Sequence, residues 1–450
     1  MRPELVAKYR SQRVPRYTSY PPSPHFSPAV DAETYRDWLR GQAHDATVSL
    51  YLHVPFCRSM CWYCGCHTMV VPHDDPIHRY LGALTKEAQT VGALLPKGPK
   101  VTHLHFGGGT PTLIPPDAFV SLMDTLRHSF HFDRDAELAI EIDPRTLGEA
   151  MPAALARGGI NRASLGVQSF DLNVQAAINR FQSPEQTAEA VTALRAAGIK
   201  AISLDLIYGL PRQTIDSCVE TVRQAVAMNP NRLSVFGYAH MPGFKSHQDR
   251  IKEAELPDAD QRIAQVIAIE DALMDAGYVR IGMDHFARPD DPIAIAAAGG
   301  SLRRNFQGYT TDDADALIGL GASAIGKLPQ GFVANIVPVP GYLKAVEEGG
   351  LAVGRGFVMG REDKLRADLI ETVMCSFEVD VAEVAGRHGH EAHMVLPAAA
   401  ELERLRDDGL VEFHGTRIKV RDEARPLVRS VAALFDAYLD PQGGRHSRAI

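Results

Sequence analysis

Six short apolar runs alternate with helical stretches between residues 48 and 239, and that rhythm restricts the chain more than any other feature. The runs are VSLYLHV (48–54), VTHLHF (101–106), AELAIEID (136–143), RASLGVQ (162–168), KAISLDLIYG (200–209) and RLSVFGYA (232–239). A helix between two strands carries the chain back to the start of the sheet, so successive strands lie parallel. Strands in such a sheet are covered on both faces and read as nearly continuous apolar runs. Six β/α units suit an open or complete barrel, whose chemistry sits where strands run into the following loops. The polar and glycine-rich residues cluster at those ends: 57–66, 107–110, 141–144, Gln168, Asp205 and 238–240. Their common placement predicts one shared site.

Outside the rhythm the texture changes. Residues 1–44 form an irregular N-terminal arm rich in Pro and Tyr, with a short amphipathic helix predicted near 31–41. The barrel is expected over 45–300, a connecting segment packed on it over 301–360, and a mostly helical domain over 361–450. In that last domain helices are predicted at 361–375, 381–388, 393–407 and 424–438. A hairpin at 409–420 turns around His414-Gly415-Thr416, giving a winged-helix-like module. The net charge of −8 and pI near 6.1 argue against a nucleic-acid binder. The N-terminus lacks the apolar stretch of a signal peptide, and no run of 18 or more apolar residues predicts a membrane span. A cytoplasmic protein is the expectation.

Four of the six cysteines crowd into residues 57–66, as Cys57-Arg-Ser-Met-Cys61-Trp-Tyr-Cys64-Gly-Cys66. A secreted disulfide framework spreads its cysteines along the chain. A structural zinc site commonly uses two short pairs separated by a longer stretch, and no second pair exists here. Thiolates at short loop spacings suit an iron–sulfur cluster. C-x-x-x-C-x-x-C grips three irons of a cube and leaves the fourth open to a small molecule.

C-x-x-x-C-x-x-C with Tyr63 before the third cysteine resembles the radical S-adenosylmethionine superfamily. The likeness narrows with RYTSYP (16–21), SLYLHVPFC (49–57), CGC (64–66), HFGGGTPT (105–112), IEIDPR (140–145), LGVQSF (165–170), DLIYGLP (205–211), RLSVFGYAH (232–240), IGMDHFARPDD (281–291) and RRNFQGYTT (303–311). Together these segments resemble the oxygen-independent coproporphyrinogen III oxidases over nearly the whole chain. The resemblance implies a partial (β/α)6 radical-SAM barrel with a 4Fe–4S cluster on Cys57, Cys61 and Cys64. It also implies two S-adenosylmethionine molecules, contacted by Tyr51, Tyr63, Gly108, Gly109, Thr110, Glu141, Gln168, Arg180, Asp205, Ala239 and Ile325. The implied chemistry is removal of a propionate β-hydrogen by a 5′-deoxyadenosyl radical, then loss of carbon dioxide and an electron to leave a vinyl group, twice per tetrapyrrole. A reductase or flavodoxin-like electron donor, a monomeric state and sensitivity to oxygen go with it.

Several residues keep two readings. Cys66 is either a small buried thiol or a prop for the cluster loop. His103 and His105 share a face of their strand and form either a metal pair or hydrogen-bonded core histidines, and His53 has the same ambiguity. The arm bearing Arg16, Tyr17 and Tyr20 is either a disordered tail or a cover for substrate. Arg16, Arg288, Arg303 and Arg304 are candidates for substrate carboxylates, which guanidinium groups bind in bidentate fashion. A haem-handling relative without decarboxylase activity is the alternative function, and both Cys66 and the RYTSYP arm weigh against it.

Overall fold

The computed structural model describes residues 8, 9, 12 and 14–439. The rest of the predicted arm and the end of the C-terminal module, 440–450, lie outside the described residues. The six predicted strands form as β1 (Thr47–Val54), β2 (Lys100–Gly108), β3 (His131–Ile142), β4 (Arg162–Gln168), β5 (Ala201–Tyr208) and β6 (Arg232–Gly237). They pair in parallel in that order. The helix after β1, Asp75–Leu94, shows why: Ile77, Tyr80, Leu81, Leu84, Ala88 and Val91 make one apolar stripe buried on the sheet. Helix starts are fixed locally, as where Thr214 and Ser217 cap each other ahead of Ile215–Ala227.

The sheet continues beyond the predicted barrel. After β6 come β7 (Val279–Ile281) and β8 (His285–Ala287), then β9 (Ala316–Leu320), β10 (Ile325–Leu328), β11 (Gly331–Asn335) and β12 (Val353–Val358). The order is β12-β11-β10-β9-β1-β2-β3-β4-β5-β6-β8-β7, a single open sheet. β9 lies parallel to β1, so much of the segment 301–360 is strand belonging to this sheet.

The two faces of the barrel strands differ, and here the structure departs from continuous apolar burial. On β1, Val48, Leu50, Leu52 and Val54 are fully buried in the core shared with the outer helices. The alternate residues Ser49, Tyr51 and His53 are polar or amphipathic. The same alternation places Glu137, Glu141, Arg162, Ser164, Asp205, Arg232 and Ser234 on the polar face. At the N-terminal end these groups pair among themselves. Arg162 Nε lies 2.9 Å from Glu137, and Arg232 Nη2 lies 2.7 Å from Asp291.

The C-terminal module is built on the helix Arg361–Ser376, the helix Val381–Arg387 and a three-stranded sheet containing the expected hairpin, with His414 opposite Arg417. Two expected helices are shorter than their pattern. Pro397 delays the third, which spans Ala399–Asp407. Pro426 breaks the last into two 3-10 turns around Val428–Ala432. Where it is described, the arm is ordered. Tyr9, Tyr17 and Tyr20 are buried in the same apolar cluster as Leu369, Val373 and Leu427. Their hydroxyls bond Asp408, Asp436 and the backbone of Ala437.

One buried carboxylate fastens the helix Asp75–Leu94 to the added strands. Glu87, 1% exposed, accepts from Gly321 N at 2.7 Å, Asn335 Nδ2 at 2.7 Å and Tyr342 Oη at 2.8 Å. Burial pushes its carboxyl up to about 7, against those three donors. Glu87→Ala strands three buried donors, so it is expected to destabilise the fold by about 3–5 kcal/mol, read as a lowered urea midpoint.

Candidate functional site

The site begins where β1 ends. Phe56–Cys57 pairs with Met69–Val70, which pins both ends of the cysteine loop. Between them the loop is held by its carbonyls. Asn179 Nδ2 donates to Met60 O at 2.9 Å, Gln248 Nε2 to Tyr63 O at 3.0 Å, and Lys245 Nζ to Cys66 O at 2.9 Å. His247 Nε2 lies 2.7 Å from Cys64 O. From the β2 side, Gly109 N donates to Val54 O and Thr110 N to Phe56 O. A Cβ on Gly109 would meet Phe56 backbone at 2.6 Å, so this approach requires glycine.

The sulfurs have donors. Thr110 Oγ1 stands 3.6 Å from Cys57 Sγ, and Arg145 Nη2 and Arg180 Nη1 stand 3.5 and 3.6 Å from Cys61 Sγ. Asp143 sits between the two arginines, 2.6 Å from Arg145 and 3.3 Å from Arg180. Burial works to raise its carboxyl, but Arg145 and Arg180 outweigh that and hold it below the usual range. Burial pushes the Cys57 thiol up to about 11, whereas the Cys66 thiol, hydrogen-bonded to Cys64, brings Cys64 down to about 6. Among the described residues no three His, Cys, Asp or Glu side chains are gathered closely enough to hold a single metal ion. Three thiols on one short loop, with donors aimed at two of the sulfurs, suit the thiolate ligation of an iron–sulfur cube. Cys66 is exposed, which corrects the buried-thiol reading; its sulfur is within electrostatic reach of Cys57 and Glu141.

A second group lies across the polar face. Glu141 Oε2 accepts from Gly108 N at 3.1 Å, and Oε1 lies 3.3 Å from His105 Nε2. Burial opposes ionisation of Glu141, yet the His105 and Gly108 bonds hold its carboxyl below the usual range. Tyr51 stacks on His105 and bonds His53 Nδ1 at 3.0 Å. His103 lies 3.3 Å from Asp312. The histidines are thus hydrogen-bonded members of the polar face. Asp205 accepts from Ser164 Oγ at 3.0 Å; burial and then Glu141 raise its carboxyl. Gln168 has φ 68°, and its amide and Arg180 both crowd the place where a Cβ on Gly166 would sit.

Hydrogen bonds and close contacts therefore connect Cys57, Cys61, Cys64, Gly109, Thr110, Gln168 and Arg180 on one side, with Tyr63 fastened through its carbonyl. They connect Tyr51, Gly108 and Glu141 on the other, with Asp205 within electrostatic reach of Glu141. Ala239 and Ile325 stay at the margins. Ala239 follows β6, and Ile325 packs its backbone against Gly319, the β9 partner of Tyr51. The sequence reading passed over Asp143 and Arg145 as site residues. Their signal was present in IEIDPR, but only the fold turns both toward Cys61.

A parallel barrel with a three-cysteine loop at its C-terminal mouth defines a radical S-adenosylmethionine protein. The Radical SAM superfamily model matches residues 51–225, and the HemN C-terminal domain model matches 360–427. Oxygen-independent coproporphyrinogen III oxidase of Bradyrhizobium diazoefficiens is 53% identical over 100% of both chains, and that of Paracoccus denitrificans 40% identical over 97% of both. The solved coproporphyrinogen III oxidase of Escherichia coli, titled a radical SAM enzyme, superposes with a TM-score of 0.90 at 36% identity, covering 95% of this chain and 100% of that one. The chain belongs to the oxygen-independent coproporphyrinogen III oxidase family.

Substituting Ala for Cys57, Cys61 or Cys64 singly is expected to abolish a stable cluster on anoxic reconstitution, measured as iron and sulfide content. Cys66→Ala is expected to retain it.

Proposed function

We propose that this chain is an oxygen-independent coproporphyrinogen III oxidase, which converts two propionates of coproporphyrinogen III to vinyl groups and yields protoporphyrinogen IX. The observation that carries the reading is the Cys57, Cys61 and Cys64 loop at the barrel mouth, in a chain alike over its whole length to relatives of that name. When bound, the 4Fe–4S cluster and S-adenosylmethionine supply the electron and the 5′-deoxyadenosyl radical that removes the propionate β-hydrogen.

The chain's own residues bind, orient and exclude. The Cys57, Cys61 and Cys64 thiolates would hold the cluster, and Arg145, Arg180 and Thr110 donate toward two of the sulfurs, which would stabilise charge there. Glu141 stays anionic and suits ribose hydroxyls as donors. Gly108, Gly109 and Thr110 would bring backbone close to the amino end of S-adenosylmethionine. We assign Tyr51, Tyr63, Gln168, Arg180, Asp205, Ala239 and Ile325 to further contacts with two molecules of that cofactor. The arm and the module from 361 onward close over the barrel of 45–300, with 301–360 extending its sheet, and keep water from the reacting carbon. The working unit is a monomer in the cytoplasm, reduced by a flavodoxin-like or reductase partner. No described helix is long and apolar enough to cross a membrane.

The test is anoxic turnover of reconstituted protein with a strong reductant, S-adenosylmethionine and coproporphyrinogen III, resolved by chromatography. Protoporphyrinogen IX with about two deoxyadenosines per product is expected, one per decarboxylation. Deoxyadenosine without decarboxylation overturns the substrate and favours the haem-handling alternative. Glu141→Ala is expected to raise the S-adenosylmethionine KM about tenfold, the worth of a hydrogen bond to a charged group.

A further inference from the structure

Four arginines from four distant segments converge at the barrel mouth. They are Arg16 on the arm, Arg262 in the first turn of the helix Ala259–Asp275, Arg304 on the short hairpin Arg303–Asn305/Gly308–Thr310, and Arg429 in the helix Val428–Ala432. Arg16 is within electrostatic reach of Asp284, Arg304, Tyr208 and Arg262, and Arg429 of Arg16, Tyr208, Arg304 and Asp284. Tyr208 ends β5, the strand that carries Asp205.

The placement of Arg262 is built into the backbone. A Cβ on Gly209 would meet its Nη1 at 2.4 Å, and one on Gly237 would meet its Nη2 at 3.1 Å. Glycines at the ends of β5 and β6 thus clear a channel through which the guanidinium reaches inward and stacks over Tyr208 at 5.5 Å. Arg304 stacks over Tyr309 at 4.5 Å, while Arg262 Nε and Arg304 Nε and Nη1 are buried without an acceptor. Arg16 keeps accessible surface although desolvation is the leading influence on its guanidinium.

Asp284, the carboxylate within electrostatic reach of Arg16, Arg304 and Arg429, is already bonded by His285 at 2.7 Å. Of the neighbouring carboxylates, Glu270 is held by Arg280 and Glu371 accepts from the Arg304 backbone. Desolvated like charges are costly unless an anion joins them. A cavity of about 340 Å³ beside the hairpin reaches Arg304 and is lined by charges of both signs, Arg303 and Lys327 as well as Asp312, Asp313, Asp315 and Glu371.

We propose that Arg16, Arg262 and Arg304 form a carboxylate-binding cluster, with Arg429 bonded to Val14 O of the arm behind it, that grips propionates of the tetrapyrrole and so presents another propionate to the radical site. This rests on the functional reading above, and it changes the sequence-based candidates. Arg16 and Arg304 remain and Arg262 joins them. Arg288, paired with Asn229 away from this group, drops out, and nothing here places Arg303 in the cluster. Guanidinium groups match planar carboxylates, and an assembly drawn from the arm, the barrel and the C-terminal helix completes itself only when all three are docked.

Equilibrium dialysis of the anoxic holoenzyme against coproporphyrin III and against its tetramethyl ester, in one detergent, tests this. Arg262→Gln and Arg16→Gln are each expected to weaken the free acid about tenfold and leave the ester unchanged. Arg262→Lys should fall between, and Arg288→Gln should bind as wild type. Iron content and thermal midpoint check that each variant folds. Free-acid binding equal to wild type in both Gln variants, or equal weakening of acid and ester, overturns the cluster. If wild-type enzyme makes no protoporphyrinogen, the reaction assignment falls, and the acid–ester comparison still decides whether these arginines bind carboxylates.

Discussion

The cysteine loop has no regular secondary structure of its own between its two bridged ends, so its shape depends on who holds its carbonyls. Donors come from the helix after β4 and from the turn after β6, and the close approach of Gly109 and Thr110 locks the other side. Because those donors belong to segments far apart in sequence, the thiols can be presented only once the parallel sheet has set the spacing of its loops. Sheet, loop and site are therefore one construction. The strands set the distances, their following loops carry the chemistry, and the outer helices supply the burial that keeps the strands in register.

The polar inner face changes what the barrel is. A filled barrel interior is layered with branched apolar side chains. Here alternate positions carry Ser, Tyr, His, Glu, Asp and Arg, and the cost of burying them is offset by pairing. Arg162 with Glu137 and Arg232 with Asp291 tie off the N-terminal end. Toward the other end stand Glu141 and Asp205 on one side and Arg262 and Arg304 on the other. The interior thus passes from close arginine–carboxylate ion pairs at the floor to the groups of the site at the mouth.

What could be read in the sequence followed from locality. The strands of the barrel were legible because their apolar positions and turn residues lie within a few residues of one another, and the cysteine spacing was legible for the same reason. The helices at 393–407 and 424–438 were over-extended because a continuing apolar pattern hid the effect of Pro397 and Pro426. β9 was missed because its partner, β1, lies more than 250 residues away. Asp143 and Arg145 were quoted within a motif yet given no role, since only the fold brings them to Cys61. Arg262 and Arg429 gave no signal at all. An arginine in an amphipathic helix reads as solvated surface until glycines on other strands are seen to admit it.

The docking of the arm has a consequence in time. Tyr9 bonds Asp408, Tyr17 bonds Asp436, and Tyr20 bonds the backbone of Ala437. Residues 9–20 therefore wait for partners about 400 positions later in the chain before they can settle. During synthesis the barrel can assemble strand by strand from neighbours well before those partners exist. The docking of the arm thus follows the barrel in time, and the order of assembly is written into the distance between the tyrosines and their acceptors.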